Sequence, residues 1–223
     1  MGDRPALPPT IYIVGAQCTG KTTLVNALTE YFCKPKNRIW TEIIPEPSVI
    51  KEVARNVLKE HDFTAFDITS SPRRALELQK LILEAQFRAE EKEKATNGWY
   101  ISDRSAIDPV VYARFFVGED AAAEMVQTET WQRLAKNMLK GQVFVCEPNP
   151  GWLSDDGVRL MPTGWEEWMS LHGAFCRALE EQGICYEILR GKLSVAQRRA
   201  QVVKSMFSSY LQKMDDGVAN EQL

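Results

Sequence analysis

An open α/β fold, a five-stranded parallel sheet with helices on both faces, is predicted by three features of the sequence. Short apolar runs alternate with longer stretches of helical periodicity along nearly the whole chain, the pattern of strand–helix–strand units with right-handed crossovers. The first apolar run, Ile11 to Val14, leads straight into a glycine-rich turn and a helix. The charged triplet Asp103-Arg104-Ser105 ends another such run, and in open parallel sheets ligands bind beyond the carboxyl ends of the strands. At 223 residues the chain can bury one sizeable core. A single domain over 11–213 is therefore expected, after a Pro-rich lead-in at 1–10 and before a polar, disordered tail at 214–223.

From Gly15 the spacing is glycine, any four residues, glycine, lysine, threonine, the phosphate-binding loop pattern, here Gly15, Ala16, Gln17, Cys18, Thr19, Gly20, Lys21, Thr22 and Thr23. Gly15 and Gly20 stand where the backbone must take left-handed turns and aim successive N–H groups into one anion nest. Lys21 can reach the β and γ phosphates and the Thr22 hydroxyl can bind Mg²⁺. The helix that begins here turns its partial positive end toward the same anion. A nucleotide site is the reading, with ATP and Mg²⁺ as the expected ligands.

The first helix carries Leu24, Val25, Leu28 and Phe32 at helical spacing and stops at Lys34-Pro35-Lys36-Asn37. Arg38 to Ile44 reads as the second strand, broken by Pro45-Glu46-Pro47-Ser48, and Val49 to Leu58 as a helix capped by Ser48, with Glu52 and Arg55 on one face. His61 to Ser71 reads as a loop. Pro72 then starts a long helix to about Lys94, with Leu76, Gln79, Leu83, Gln86 and Phe87 along one side. Gln79 on that apolar stripe is either a satisfied core amide or a polar group aimed into a pocket.

Asn97-Gly98 turns into the third strand, Trp99 to Ser102, and Ala106–Phe116 and Glu119–Leu139 read as two helices. The fourth strand is Gln142 to Cys146. The loop after it, Glu147 to Pro162, holds Trp152, Asp155-Asp156-Gly157 and Arg159, a pattern of either a solvated loop or a mobile lid. Thr163 to Gln182 gathers Trp165, Trp168, His172, Phe175 and Leu179 on one helical face, which makes His172 a packed core residue rather than a ligand. Ile184 to Leu189 is the fifth strand and Ser194 to Leu211 the closing helix.

The net charge of −3 argues against a general nucleic-acid surface, so phosphate recognition should be local and the partner small. Five cysteines without CxxC spacing read as reduced thiols of a cytoplasmic protein. Cys18, inside the loop, is either a bland loop residue or a thiol activated by loop amides and Lys21. No apolar run approaches the roughly 20 residues a membrane span needs, the lead-in is not a signal peptide, and two isolated histidines make no zinc site.

With these motifs in order the chain resembles a known family, the P-loop ribosylnicotinamide kinase domain of the NadR type and its AAA-domain ATPase relatives. The resemblance runs from Ile11 to about Met206 and rests on GAQCTGKTT, EVAR at Glu52 to Arg55, LELQ with Gln79, SDRSAIDP with Asp103, and WLSDDGVR at Trp152 to Arg159. It implies the P-loop NTPase fold of nucleoside and nucleotide kinases, with a lid at about 147–162. The bacterial domain places a glutamate almost at the end of the second strand. Here Pro45-Glu46-Pro47 intervenes, and both Glu46 and Glu52 are candidates for that place.

The expected reaction is transfer of the ATP γ-phosphoryl to a hydroxyl of a small, nucleoside-like molecule. Such transfer depends on charge neutralisation and in-line positioning more than on covalent chemistry. Lys21 would hold phosphates, and Asp103 would act as base toward the acceptor or hold a water on Mg²⁺. Arg159, with Arg104 as the alternative, would close on the transferring group. Glu52, Arg55 and Gln79 would line the acceptor pocket, with Asp155 or Asp156 on a ribose or ordering the lid. An ATPase or GTP-binding regulatory protein without an acceptor is the rival; the missing Asn-Lys-x-Asp and Asp-x-x-Gly elements disfavour the GTP switch.

Overall fold

The computed structural model describes residues 7–34, 45–152 and 164–220. Strands β1 (Ile11–Val14), β2 (Ser48–Ile50), β3 (Tyr100–Asp103), β4 (Gln142–Cys146) and β5 (Tyr186–Leu189) form one parallel sheet in the order β2-β3-β1-β4-β5. The strands are apolar on both faces because both faces are covered, as all-parallel sheets require. Ile11, Ile13, Ile101 and Phe144 point to one side, where they pack on Leu24, Leu28 and Phe32 of α1 (Lys21–Cys33) and Val202 and Met206 of α9 (Val195–Asn220). Tyr12, Val14, Tyr100, Val143 and Val145 point to the other. There they meet α4 (Pro72–Thr96), α5 (Ile107–Phe116), α7 (Glu129–Lys140) and α8 (Trp165–Glu181).

The expected five-stranded sheet stands, with one of its strands in a stretch that was expected to open a helix. Ser48 to Ile50, expected to open a helix, is β2, and the helix α2 starts only at Ala54 and ends at Glu60. Val49 and Ile50 are β-branched, and pairing with β3 supplies the backbone partners that a local reading omits. The Ser48 hydroxyl contacts Trp99 O at 3.4 Å instead of capping a helix. The strand expected at 38–44 lies outside the described residues.

Two further boundaries differ. The loop expected over 61–71 contains α3, Ala65–Ser70, started by a reciprocal capping box in which Thr64 accepts from Asp67 N while Asp67 accepts from Thr64 N. The helix expected over 119–139 is two, α6 (Glu119–Val126) and α7, because the Thr128 oxygen accepts from Trp131 N and begins a new helix. The tail expected to be disordered from 214 instead prolongs α9 to Asn220, since extending a helix needs no new nucleus. Among the described residues no helix is long and apolar enough to cross a membrane.

Candidate functional site

The phosphate loop leaves the end of β1, the central strand, and enters α1 at Lys21. Gly15 has φ 128° and Gly20 φ 80°, both in the left-handed region. Space as well as conformation demands glycine. A Cβ on Gly15 would meet Cys146 O at 2.8 Å, and one on Gly20 would meet the Trp152 ring at 2.8 Å. Lys21 curls over its own loop, donating to Ala16 O and lying 3.5 Å from Thr19 Oγ1. Burial lowers the Lys21 ammonium to about 8, aided by Arg104 and opposed by Asp108 and Asp103.

Asp103 ends β3 directly beside β1, paired in register with Ile13. Its Oδ2 accepts from the Thr22 hydroxyl at 2.5 Å. Its Oδ1 is buried without a hydrogen-bond partner among the described residues. A buried carboxylate oxygen without a partner, beside a threonine hydroxyl at a phosphate nest, fits the hard oxygen chemistry of a hydrated Mg²⁺. Among the described residues there is no cluster of three or more His, Cys, Asp or Glu able to hold a metal without phosphate oxygens.

Next to the loop lies an open cavity. Leu58, Ile68, Leu78, Ile82 and Phe116 make its apolar wall, and Glu52, Arg55, Gln79, Arg104 and Asp108 its polar one. Glu52 lies two residues past the end of β2, in the cavity wall. Glu46 lies ahead of that strand, exposed, with its carbonyl accepting from Asn97. Arg104 Nε donates to Glu52 Oε1 at 2.7 Å and Arg55 Nε to Oε2 at 3.1 Å. Burial alone would raise Glu52, but Arg104, Lys21 and the arginine hydrogen bonds override it and hold the carboxyl down at about 2. Gln79 is buried in the cavity wall.

Arg104 is the hub of this cluster. It is buried, sits at φ 87°, and its Nη1 also donates to Asp108 Oδ1 at 2.9 Å. A non-glycine residue held in that region stores strain that surrounding contacts must offset. Burial opposes its charge, but Glu52, Tyr112 and Asp108 hold its pKa above the ordinary value. Glu52 and Arg104 also line the recess formed by Cys18 to Thr23, so that recess and the cavity meet at these two side chains.

Lys21, Thr22, Asp103, Glu52, Arg55, Gln79 and Arg104 are thus gathered at one end of the sheet, although Asp103 belongs to the Thr22 side and is not in the cavity wall. Asp155, Asp156 and Arg159, and with them most of the expected lid, lie outside the described residues. Its first part is a short 3-10 turn at Pro150–Trp152. His172 is buried with its Nδ1 lacking a partner among the described residues, and burial lowers its pKa, in keeping with a packed histidine.

Three residues were not singled out from sequence. Asp108 anchors Arg104, and Tyr112 donates to Gln17 Oε1 at 2.9 Å. Arg198 of α9 is buried behind the loop, donating to Thr19 O at 2.7 Å and to Glu147 O at 3.1 Å, with its guanidinium over the Trp152 ring. An Asp four residues past Arg104, at helical spacing, was a readable signal for the first. The other two contacts are long-range and leave no local trace.

The AAA domain family matches residues 10–198, most of the chain and every element from β1 to the start of α9. The chain belongs to this family. No curated protein matches it by sequence. Among solved structures, the AAA domain superposes on a NadR protein in complex with NR with a TM-score of 0.67 at 19% identity, over 91% of this chain and 52% of that one. It thus spans about half the length of that protein. A deoxyadenosine kinase from M. mycoides matches with a TM-score of 0.59 at 13% identity, over 89% of this chain and 99% of that one. A shikimate kinase from Acinetobacter baumannii matches with a TM-score of 0.52 at 12% identity, over 92% and 96%. At these identities the likeness establishes the fold, that of P-loop kinases with a five-stranded parallel sheet.

Proposed function

We propose that this AAA domain is a kinase that transfers the γ-phosphoryl of ATP to a hydroxyl of a small, nucleoside-like acceptor. The observation that carries the reading is the meeting of two compartments at Glu52 and Arg104: a phosphate nest on one side and a largely apolar cavity with a few polar groups on the other. A plain hydrolase has no use for the second. In-line transfer requires the acceptor hydroxyl to face the phosphorus from the side opposite the leaving group, and a cavity that shares Glu52 and Arg104 with the nest offers an acceptor room beside it.

Lys21 and the loop amides bind the β and γ phosphates. Thr22 and Asp103 would hold Mg²⁺, which when bound neutralises phosphate charge. Glu52 orients the acceptor hydroxyl. Clamped by two arginines and held at about 2, it is a hydrogen-bond acceptor rather than a strong base, which suffices for a loose transition state. Arg104 stabilises the transferring group from the junction, and Arg55 and Gln79 hold the acceptor. Arg159 as the closing arginine and Asp155 or Asp156 on a ribose complete the assignment. The NadR protein with NR and the deoxyadenosine kinase, whose named ligand and substrate are nucleosides, support the acceptor class. The five cysteines are thiols not joined in disulfides, in keeping with a cytoplasmic protein.

The test is ADP release from Mg²⁺-ATP, measured alone and with a panel of ribo- and deoxyribonucleosides, nicotinamide riboside included. At least one acceptor should accelerate release and appear as its monophosphate. Release that no acceptor changes would replace the kinase by an ATPase, and a tighter response to GTP would favour a GTP-binding regulator.

A further inference from the structure

Gln17 belongs to the phosphate loop and also lines the acceptor cavity. Its side-chain Oε1 accepts from the Tyr112 hydroxyl at 2.9 Å, and its main-chain carbonyl accepts from Trp168 Nε1 at 2.9 Å. The residue is 5% exposed, so both bonds form in shielded surroundings where an unpartnered polar atom is costly. A planar trans peptide points its N–H opposite its carbonyl. With the Gln17 carbonyl held toward Trp168, the N–H of Cys18 is directed away from α8. Cys18 itself, at φ 58°, lines the phosphate recess. Gln17 is therefore fastened at both ends, and one fastening is a side chain of the cavity wall.

Tyr112 is rigid enough to serve. Its ring stacks on Phe116 at 6.0 Å and meets Phe175 edge-on at 6.1 Å. Burial raises its pKa, which keeps the hydroxyl a donor. The Arg104 guanidinium lies 6.0 Å from the ring centre, so the same tyrosine also borders the Glu52–Arg104 junction.

We propose that the Tyr112–Gln17 hydrogen bond is a positioning contact by which the acceptor-cavity wall holds the phosphate loop in its anion-binding shape. It rests on the reading of Gly15 to Thr23 as a nucleotide site. Tyr112 then controls nucleotide affinity from the wall of the other compartment, through Gln17.

Binding of the non-hydrolysable ATP analogue AMP-PNP with Mg²⁺ is measured by calorimetry for wild type, Tyr112→Phe, Gln17→Leu and the double variant, with a thermal melt of each. Tyr112→Phe keeps the ring and its packing and loses the donor. Each single change should weaken AMP-PNP binding by about three- to tenfold, the range for one buried hydrogen bond. The double variant should lose no more than the weaker single, because both remove the same bond. Unchanged affinity in Tyr112→Phe, or losses that multiply in the double variant, would overturn the proposal while leaving the kinase reading intact. Failure of the wild type to bind AMP-PNP would overturn both, and Lys21→Ala, which should abolish binding, marks that difference.

Discussion

The hydroxyl of Thr22 donates to Asp103 Oδ2 across 2.5 Å, joining the first turn of α1 to the last residue of β3. This bond orients the threonine oxygen, while Oδ1 stays buried without a partner among the described residues. With Mg²⁺ bound as proposed, Asp103 would hold it through the Thr22 hydroxyl and a coordinated water. Outer-sphere partners of that kind typically cost 10–100-fold in metal affinity or activity when replaced. Asp103→Asn should lower turnover by about that much, with nucleotide binding largely kept and partial recovery as Mg²⁺ is raised. A Mg²⁺ titration of ADP release in both proteins checks this, and a loss that no Mg²⁺ concentration restores would point to a base instead.

Lys21 predicts a pH dependence. Its folded pKa of about 8 lies below the ordinary 10.5, so the buried charge costs stability fully below pH 8. That cost is relieved as pH rises toward 10.5, where the unfolded lysine also loses its proton. Bound phosphates reverse the sign, because an anion favours the charged ammonium and raises its pKa. Nucleotide binding should therefore take up a proton above pH 8 and weaken by up to about tenfold per pH unit there. Thermal melts with and without AMP-PNP at pH 7 and pH 9 should show a larger nucleotide shift at pH 7. Lys21→Met should erase the difference, and a wild-type shift independent of pH would remove Lys21 from the phosphate site.

How much was legible in the sequence follows from how local each feature is. The loop from Gly15 to Thr23 was readable because phosphate binding imposes residue types at set spacings on one short stretch. The place of Asp103 was readable because strand ends define the binding side of a parallel sheet. Ser48 to Ile50 was misread because three residues that fit either state become a strand only when β3 pairs with them. The same shift puts Glu52 just past a strand and Glu46 ahead of it. Tyr112 and Arg198 could not be found this way, since they reach loop partners 95 and 179 residues away. The Thr64 capping box was there to be read, as a threonine three residues ahead of an aspartate.

The cluster of Glu52, Arg104 and Asp108 predicts a further outcome. Removing one partner from a buried ion pair leaves an uncompensated charge and costs about 3–5 kcal/mol. Arg104→Met should lower unfolding stability by that order at pH 7. Glu52 adds a pH signature. Its folded pKa of about 2 lies below the ordinary 4.5, so its contribution is present above pH 4.5 and is lost as pH falls toward 2. The gap between wild type and Arg104→Met should thus be widest at neutral pH and narrow below pH 4.5. Denaturant unfolding at pH 7 and pH 3 measures both gaps, and equal gaps would show that the cost is packing alone.

Gln79 separates a kinase from a hydrolase. It projects from α4 between Leu78 and Ile82 of the cavity's apolar wall, buried within that wall. An amide placed among aliphatic side chains costs free energy unless it meets a partner. A nucleoside base presents donor and acceptor groups on one edge that such an amide can match. Gln79→Leu retains volume and removes the amide, whereas Gln79→Ala removes both. If the amide recognises the acceptor, both variants should raise the acceptor KM by about tenfold, the order expected for a buried hydrogen bond and the unpaired group its loss leaves. The ATP dissociation constant should stay nearly as in the wild type, because the cavity and the phosphate loop share Glu52 and Arg104 and not Gln79. Steady-state ADP release over a matrix of ATP and acceptor concentrations yields both constants. If Gln79→Leu matches the wild type and only Gln79→Ala is impaired, the residue fills space and does not read the acceptor.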